Sequence, residues 1–126
     1  MSAETLLWLG GAYQLVIAAF HLMFWKLFAW RDELPKLTPL NRAVMQVLNL
    51  CLTFVFVVFA YVSMAHADEL LGTGLGRALL ALIAVFWALR AVEQVVFFGL
   101  RKPASLGLFV SFVLAAAASA APLPCP

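Results

Sequence analysis

The chain has 126 residues, of which 66% are hydrophobic and 11% are charged, and its formal net charge is +2. Soluble domains carry about 25% charged residues, so this composition excludes an ordinary soluble domain and indicates an integral membrane protein. A net charge this small also gives no basis for nucleic-acid binding. At this length the membrane spans use almost the whole chain, and we expect a single domain.

Four apolar segments are each long enough to cross a hydrocarbon core of about 30 Å as a helix. They cover about residues 6–30, 39–64, 76–100 and 104–121. Thr38 followed by Pro39 fits the start of the second helix, and the glycines of segment 72–76 fit a turn before the third. The sequence therefore predicts an all-α integral membrane protein, folded as an up-down bundle of four transmembrane helices.

The basic residues are distributed unevenly between the loops. By the positive-inside rule, the first and third loops face the cytoplasm, and the N and C termini lie outside with the second loop. We therefore predict a multi-pass protein of a bacterial inner membrane. The first loop is flanked by Lys26, Arg31, Lys36 and Arg42, the third contains Arg101 and Lys102, and the second has only Arg77 nearby.

The cysteines and the acidic second loop do not predict a cofactor site. Cys51 lies within the second span and Cys125 at the end of the chain, so a disulfide between them is not expected. His66, Asp68 and Glu69 in the second loop are typical of a solvated loop, and weak cation binding is the alternative. We predict no metal site, and the sequence specifies no cofactor.

Three of the spans carry polar residues at helical spacing. A charged side chain at the bilayer centre costs about 3 kcal/mol on insertion scales, so such residues usually face a protein interior or a wet cavity. We expect each polar stripe to face the other helices for this reason. The residues are Gln14 and His21 in the first span, Arg42, Gln46, Asn49 and Thr53 in the second, and Arg90, Glu93 and Gln94 in the third.

The up-down threading places six polar residues at a similar depth, in the cytoplasmic half of the membrane. Their convergence predicts a ligand-binding site, and His21 and Glu93 are its candidates for acid–base chemistry. A purely structural role for these residues stays open, because Arg90 can form an ion pair with Glu93 and the amide side chains can form hydrogen bonds that hold the helices together. The predicted site consists of His21, Gln46, Asn49, Arg90, Glu93 and Gln94.

Small residues recur at every fourth position of the fourth span. This spacing lets two helix backbones approach closely, and the third span has a comparable surface of alanines. We predict that the fourth span packs on the third, and contact between two copies of the protein is the alternative. The small residues are Gly107, Ser111, Ala115 and Ser119 in the fourth span and Ala81, Ala84, Ala88 and Ala91 in the third.

Three functions fit this pattern. We favour a homo-oligomer that binds or translocates a small ligand or ion, because ionisable residues within a membrane usually serve function. The first alternative is a membrane-embedded enzyme that acts on a lipid-soluble substrate through His21 and Glu93. The second is a structural or assembly subunit of a larger membrane complex. The expected partners are membrane lipids and a small-molecule or lipid ligand.

Overall fold

The computed structural model describes residues 2–124, and all regular secondary structure in that range is helical. Four segments are long and apolar enough to cross a membrane, which confirms the predicted helical protein with four candidate spans. A 3₁₀ turn, Leu34–Lys36, follows the third helix, and a π-helical segment, Gln94–Phe98, continues the sixth. The α-helices are α1 (Ala3–Leu22), α2 (Phe24–Leu27), α3 (Trp30–Glu33), α4 (Pro39–Ala65), α5 (Ala67–Gly72), α6 (Gly74–Glu93) and α7 (Pro103–Ala120).

The first long helix ends earlier than the hydropathy of the sequence predicts. α1 ends at Leu22, and Ala29 adopts the left-handed conformation with φ 52° after the short helix α2. Beyond this turn the Trp30 ring packs on Phe24 and Trp25 and is only 5% exposed. Residues 23–36 form a folded cap over the end of α1. Hydropathy could not separate the first part of the cap from the span, because residues 23–30 are as rich in apolar and aromatic side chains as α1.

The other long helices begin and end close to the predicted bounds, and two of them have side-chain caps. The Thr38 hydroxyl accepts a hydrogen bond from the backbone N–H of Asn41, and Pro39 occupies the first turn of α4. Thr73 accepts from the N–H of Gly76 in the same way at the start of α6. Each cap satisfies an amide that the first helical turn leaves without a partner.

The four long helices are arranged in the order α4, α1, α7 and α6 around the bundle. The closest backbone contacts join α1 to α4 and α6 to α7, and α1 also packs on α7. α4 and α6 make almost no close backbone contact, and aromatic side chains fill the space between them. Phe56 and Phe59 come from α4, and Phe86 and Trp87 come from α6.

The packing of α7 on α6 agrees with the prediction that the fourth span lies on the third. Ala91 and Ala115 are buried in the bundle core. Gly107 is exposed, and Ser111 forms a hydrogen bond with Tyr13 of α1. The small residues of α7 therefore do not all face α6: some lie in the core, Ser111 contacts α1, and Gly107 is exposed.

Gly76 allows α5 to lie against α6. A Cβ atom at this position would collide with backbone atoms of Glu69 and Leu70, which cannot rotate away as a side chain can. We predict that Gly76→Ala destabilises the protein by about 1–3 kcal/mol, the usual cost of overpacking. Thermal unfolding in detergent measures the effect.

Gly74→Ala is the matched control, because a Cβ at Gly74 meets no atom within 4 Å. It should unfold at nearly the temperature of the unmodified protein. Equal losses in the two variants would contradict the close approach of α5 to α6.

Candidate functional site

Three aromatic rings form a stack across the middle of the bundle, which we call the aromatic stack: Phe56, Trp87 and Phe112. The centroids of Phe56 and Trp87 are 5.4 Å apart with 14° between the planes, and those of Trp87 and Phe112 are 5.7 Å apart with 21°. Tyr13 meets Trp87 edge to face at 5.4 Å, and the Tyr13 hydroxyl lies 2.8 Å from Ser111 Oγ. Trp87 therefore contacts side chains from all three other spans.

Arg90 lies against one end of the aromatic stack. It follows Trp87 by three residues, so the two side chains share a face of α6. The Arg90 Cζ atom is 4.7 Å from the ring centroid of Phe112, within the range of a cation–π interaction. Within residues 2–124 no carboxylate forms an ion pair with Arg90, so the pairing with Glu93 that the sequence left open is not formed.

A chain of hydrogen bonds connects Arg90 to the loop between α6 and α7. Arg90 Nη2 donates to Gln94 Oε1 at 3.1 Å, and Gln94 Nε2 donates to Ser105 Oγ at 2.7 Å. Ser105 Oγ in turn donates to the carbonyl of Gly99, which ends the π-helical segment with φ 72°. Gln94 is thus bonded at both ends of its amide, and it holds the guanidinium in place.

His21 and Asn49 meet where the end of α1 contacts α4. The His21 ring donates from Nδ1 to the Ile17 carbonyl at 2.9 Å and packs between Phe24 and Phe56. Asn49 Nδ2 donates to the backbone carbonyl of His21 at 3.1 Å. The contact between these two predicted site residues therefore joins the two helices and satisfies a carbonyl in the last turn of α1.

Gln46 and Glu93 lie apart from the other predicted site residues. Gln46 Nε2 donates to the Arg42 carbonyl at 3.2 Å and lines a separate pocket at the end of the bundle. Glu93 is exposed on the outer surface of α6. The described residues include no hydrogen bond between His21 and Glu93, so the acid–base pair considered from the sequence is not assembled.

The predicted set therefore separates into two pairs and two outlying residues. Arg90 is bonded to Gln94, and His21 to Asn49, and no hydrogen bond in the described part of the chain joins one pair to the other. Depth alone predicted that all six could meet. Depth does not determine the rotation of each helix about its axis, and that rotation turns Glu93 outward.

Two of the three buried polar atoms without a hydrogen-bond partner in the described residues lie at the aromatic stack. In residues 2–124 the three atoms are Gln14 Oε1, Trp87 Nε1 and Arg90 Nη1. Trp87 and Arg90 both lie against the ring of Phe112, and the Gln14 side chain, 2% exposed, adjoins Tyr13 in the sequence of α1. A buried donor or acceptor without a partner costs about 1–3 kcal/mol. This region therefore combines unused hydrogen-bonding capacity with an uncompensated positive charge.

The sequence analysis missed Tyr13, Phe112 and Ser105 as residues near the site. Tyrosine is usual at the membrane interface, so its position in the middle of the first span is a signal that could have been used. Ser105 and Phe112 carry no comparable signal, because a serine or phenylalanine in an apolar span is ordinary. Only the packing of α7 on α6 places them beside Gln94 and Arg90.

The described residues contain no group of three or more His, Cys, Asp or Glu side chains suited to a metal ion. In the second loop His66 Nδ1 lies 2.9 Å from Glu69 Oε1, and the His66 ring meets Tyr61. Cys51 is a free thiol exposed on α4. No disulfide between Cys51 and Cys125 was expected from the sequence, and Cys125 lies outside the described residues.

Comparisons of the chain with protein-family models, with curated proteins and with solved structures give no match.

The hydrogen bond between the hydroxyls of Tyr13 and Ser111 joins α1 to α7, and a double-mutant cycle isolates its contribution. Ser111 Oγ also donates to the Leu108 carbonyl, so the single variant Ser111→Ala loses more than one contact. We expect a coupling of about 0.6 kcal/mol between Tyr13→Phe and Ser111→Ala, the average for bonds between helices in a membrane. Unfolding in detergent micelles measures it, and fully additive losses would show that the two hydroxyls do not interact.

Proposed function

We propose that this multi-pass membrane protein binds a small amphiphile with an anionic oxygen group, such as a carboxylate, between its helices. The observation that carries the proposal is the pair of unpartnered donors on α6, Arg90 Nη1 and Trp87 Nε1, beside the ring of Phe112. A carboxylate has two oxygens, so it can accept from both donors at once. It would also compensate the charge of Arg90, which has no ion-pair partner in residues 2–124.

Charge and shape both favour an anionic amphiphile over other ligands. Arg90 is half-buried without an ion-pair partner in residues 2–124, and a guanidinium binds a carboxylate more strongly than a neutral acceptor. The ring of Phe98, which is 68% exposed and has its centroid 5.7 Å from Arg90 Cζ, offers an apolar surface for the remainder of the molecule.

The other predicted site residues take supporting roles in this proposal. Arg90 contacts the ligand, and Gln94 positions Arg90 through the bond to Nη2. His21 and Asn49 hold α1 to α4 beside the aromatic stack. Gln46 and Glu93 do not contact a ligand bound at Arg90 within one copy of the protein.

The protein acts as a homo-oligomer in this proposal. Glu93 is exposed on α6 between Val92, which is 58% exposed, and Val96, which is 68% exposed. A carboxylate that faces lipid is costly, and a second copy that covers this surface would shield it. The aromatic stack fills the middle of a single bundle, so translocation of the ligand would use the interface between copies.

We predict that Arg90→Gln weakens the binding of decanoate by about tenfold or more, since a hydrogen bond to a charged group is worth about 1.5–3 kcal/mol. Equilibrium binding of radiolabelled decanoate to the detergent-purified protein measures the effect. Arg90→Lys keeps the charge and should restore only part of the affinity, because lysine lacks the planar guanidinium that donates two parallel hydrogen bonds to a carboxylate.

Arg77→Gln is the matched control, because Arg77 is an exposed arginine at the opposite end of α6. It should bind decanoate normally, and decanol should bind all variants equally and weakly. Equal decanoate binding by Arg90→Gln and Arg77→Gln would contradict the proposal. Light scattering on the same samples reports the subunit number, and a monomer would contradict the homo-oligomer.

The orientation in the membrane is also part of the proposal. Antiparallel packing of α1 on α4 and of α6 on α7 brings the basic first and third loops to one end of the bundle. By the positive-inside rule this end faces the cytoplasm of a bacterial inner membrane, and both termini lie outside.

Alkaline phosphatase fused to the C-terminus should therefore be active in a bacterial host. Its disulfides form only in the oxidising periplasm, so activity requires an outward C-terminus. Green fluorescent protein fused at the same position should stay dark. A bright fluorescent fusion with an inactive phosphatase fusion would reverse the proposed orientation.

A further inference from the structure

A basic pocket lies at the end of the bundle, where the cap of residues 23–36 covers the start of α4. Its volume is about 420 Å³, and no acidic side chain lines it. The pocket is separate from the aromatic stack, since neither Arg90 nor any residue of the stack lines it. The polar and aromatic residues that line it are Trp25, Lys26, Trp30, Arg31, Arg42 and Gln46.

The positive charges around this pocket are not neutralised by the protein. Within residues 2–124, neither Lys26 nor Arg31 forms an ion pair with a carboxylate. Glu33 also lies in the cap, but its carboxylate forms an ion pair with Lys36 at 3.2 Å. The cap also contains Asp32, but Lys26, Arg31 and Arg42 line the pocket and no acidic side chain does, so its lining is positively charged.

Arg42 is held in a fixed position at the wall of the pocket. Its Nε donates to the Leu34 carbonyl at 3.1 Å, and Nη2 donates to the carbonyls of Leu37 at 3.3 Å and Pro35 at 3.4 Å. These bonds tie α4 to the 3₁₀ turn. Nη1 remains available, so the guanidinium offers oriented donors without losing side-chain freedom on binding.

Two tryptophans supply the apolar part of the pocket. The rings of Trp25 and Trp30 meet edge to face at 5.0 Å. Tryptophan concentrates where a membrane meets water, because the ring has an apolar body and a polar N–H. The pocket lies beside the first turns of a membrane-spanning helix, so its occupant is exposed to the headgroup layer.

We propose that this pocket binds the phosphate-bearing headgroup of an anionic membrane phospholipid. The phosphodiester oxygens accept from Lys26, Arg31 and Arg42, as phosphate groups do at clustered basic side chains. Trp25 and Trp30 pack against the glycerol and the upper acyl chain. Basic pockets between helices on the cytoplasmic side of a membrane have the chemistry that selects such lipids. This inference does not rest on the ligand proposed at Arg90.

Native mass spectrometry of the full chain, with phosphatidylglycerol or phosphatidylcholine added to the detergent, tests the proposal. The unmodified protein should retain phosphatidylglycerol and not phosphatidylcholine. The double variant Lys26→Gln/Arg31→Gln should bind phosphatidylglycerol about tenfold more weakly, because it loses charge-assisted hydrogen bonds to the phosphate. Both side chains are exposed, so their replacement should leave folding intact.

The double variant Arg101→Gln/Lys102→Gln is the matched control, because it removes the same charge from the same end of the bundle but outside the pocket. It should keep its phosphatidylglycerol. Equal losses in the two double variants would overturn the proposal, because general attraction to basic loops would then explain the binding. Equal retention of the two lipids would overturn it, as would binding of inorganic phosphate without any phosphatidylglycerol.

Discussion

The packing of Trp87 at the centre of the bundle is the constraint on which the rest of the structure depends. α4 and α6 are too far apart for backbone contact, and the indole, 0% exposed, bridges the space between Phe56 and Phe112. Helices in a bilayer gain little hydrophobic free energy from association, because lipid is as apolar as their side chains, so packing and hydrogen bonds must hold them together. Trp87 supplies contact area to every span. Its N–H stays without an acceptor beside Arg90, so the residue that completes the core also creates the unused donor of the proposed site.

Much of the fold could be predicted from the sequence, because a bilayer leaves the backbone few alternatives. Backbone groups in the hydrocarbon must bond within their own segment, so a long apolar run can only be a helix. The bounds of the last three spans follow from the lengths of the apolar segments. The cap at Thr38 follows from the preference for threonine just before a helix and for proline in its first turn. The end of α1 did not follow. It depends on the left-handed turn at Ala29 and on burial of Trp30, and neither can be detected from the hydropathy of the sequence.

The candidate site could be predicted only in part, for a different reason. Polarity in an apolar run identified Arg90 and Gln94, and these two residues are bonded to each other. The rotation of each helix about its axis depends on side-chain packing across the bundle, and one sequence does not reveal it. Glu93 therefore lies outside, and Tyr13 and Phe112 lie inside, although the sequence favoured Glu93. His21 and Asn49 were predicted as ligand-binding residues, and their observed contacts join α1 to α4.

The closest backbone contacts also have a consequence for synthesis. Each of the two tight pairs, α1 with α4 and α6 with α7, consists of spans that follow one another along the chain. All residues of the first hairpin are therefore added to the chain before Trp87. Spans that are already stable as helices in the bilayer can then associate as preformed pieces. Assembly of this protein thus reduces to the docking of two hairpins, each formed by two spans that are neighbours in the sequence.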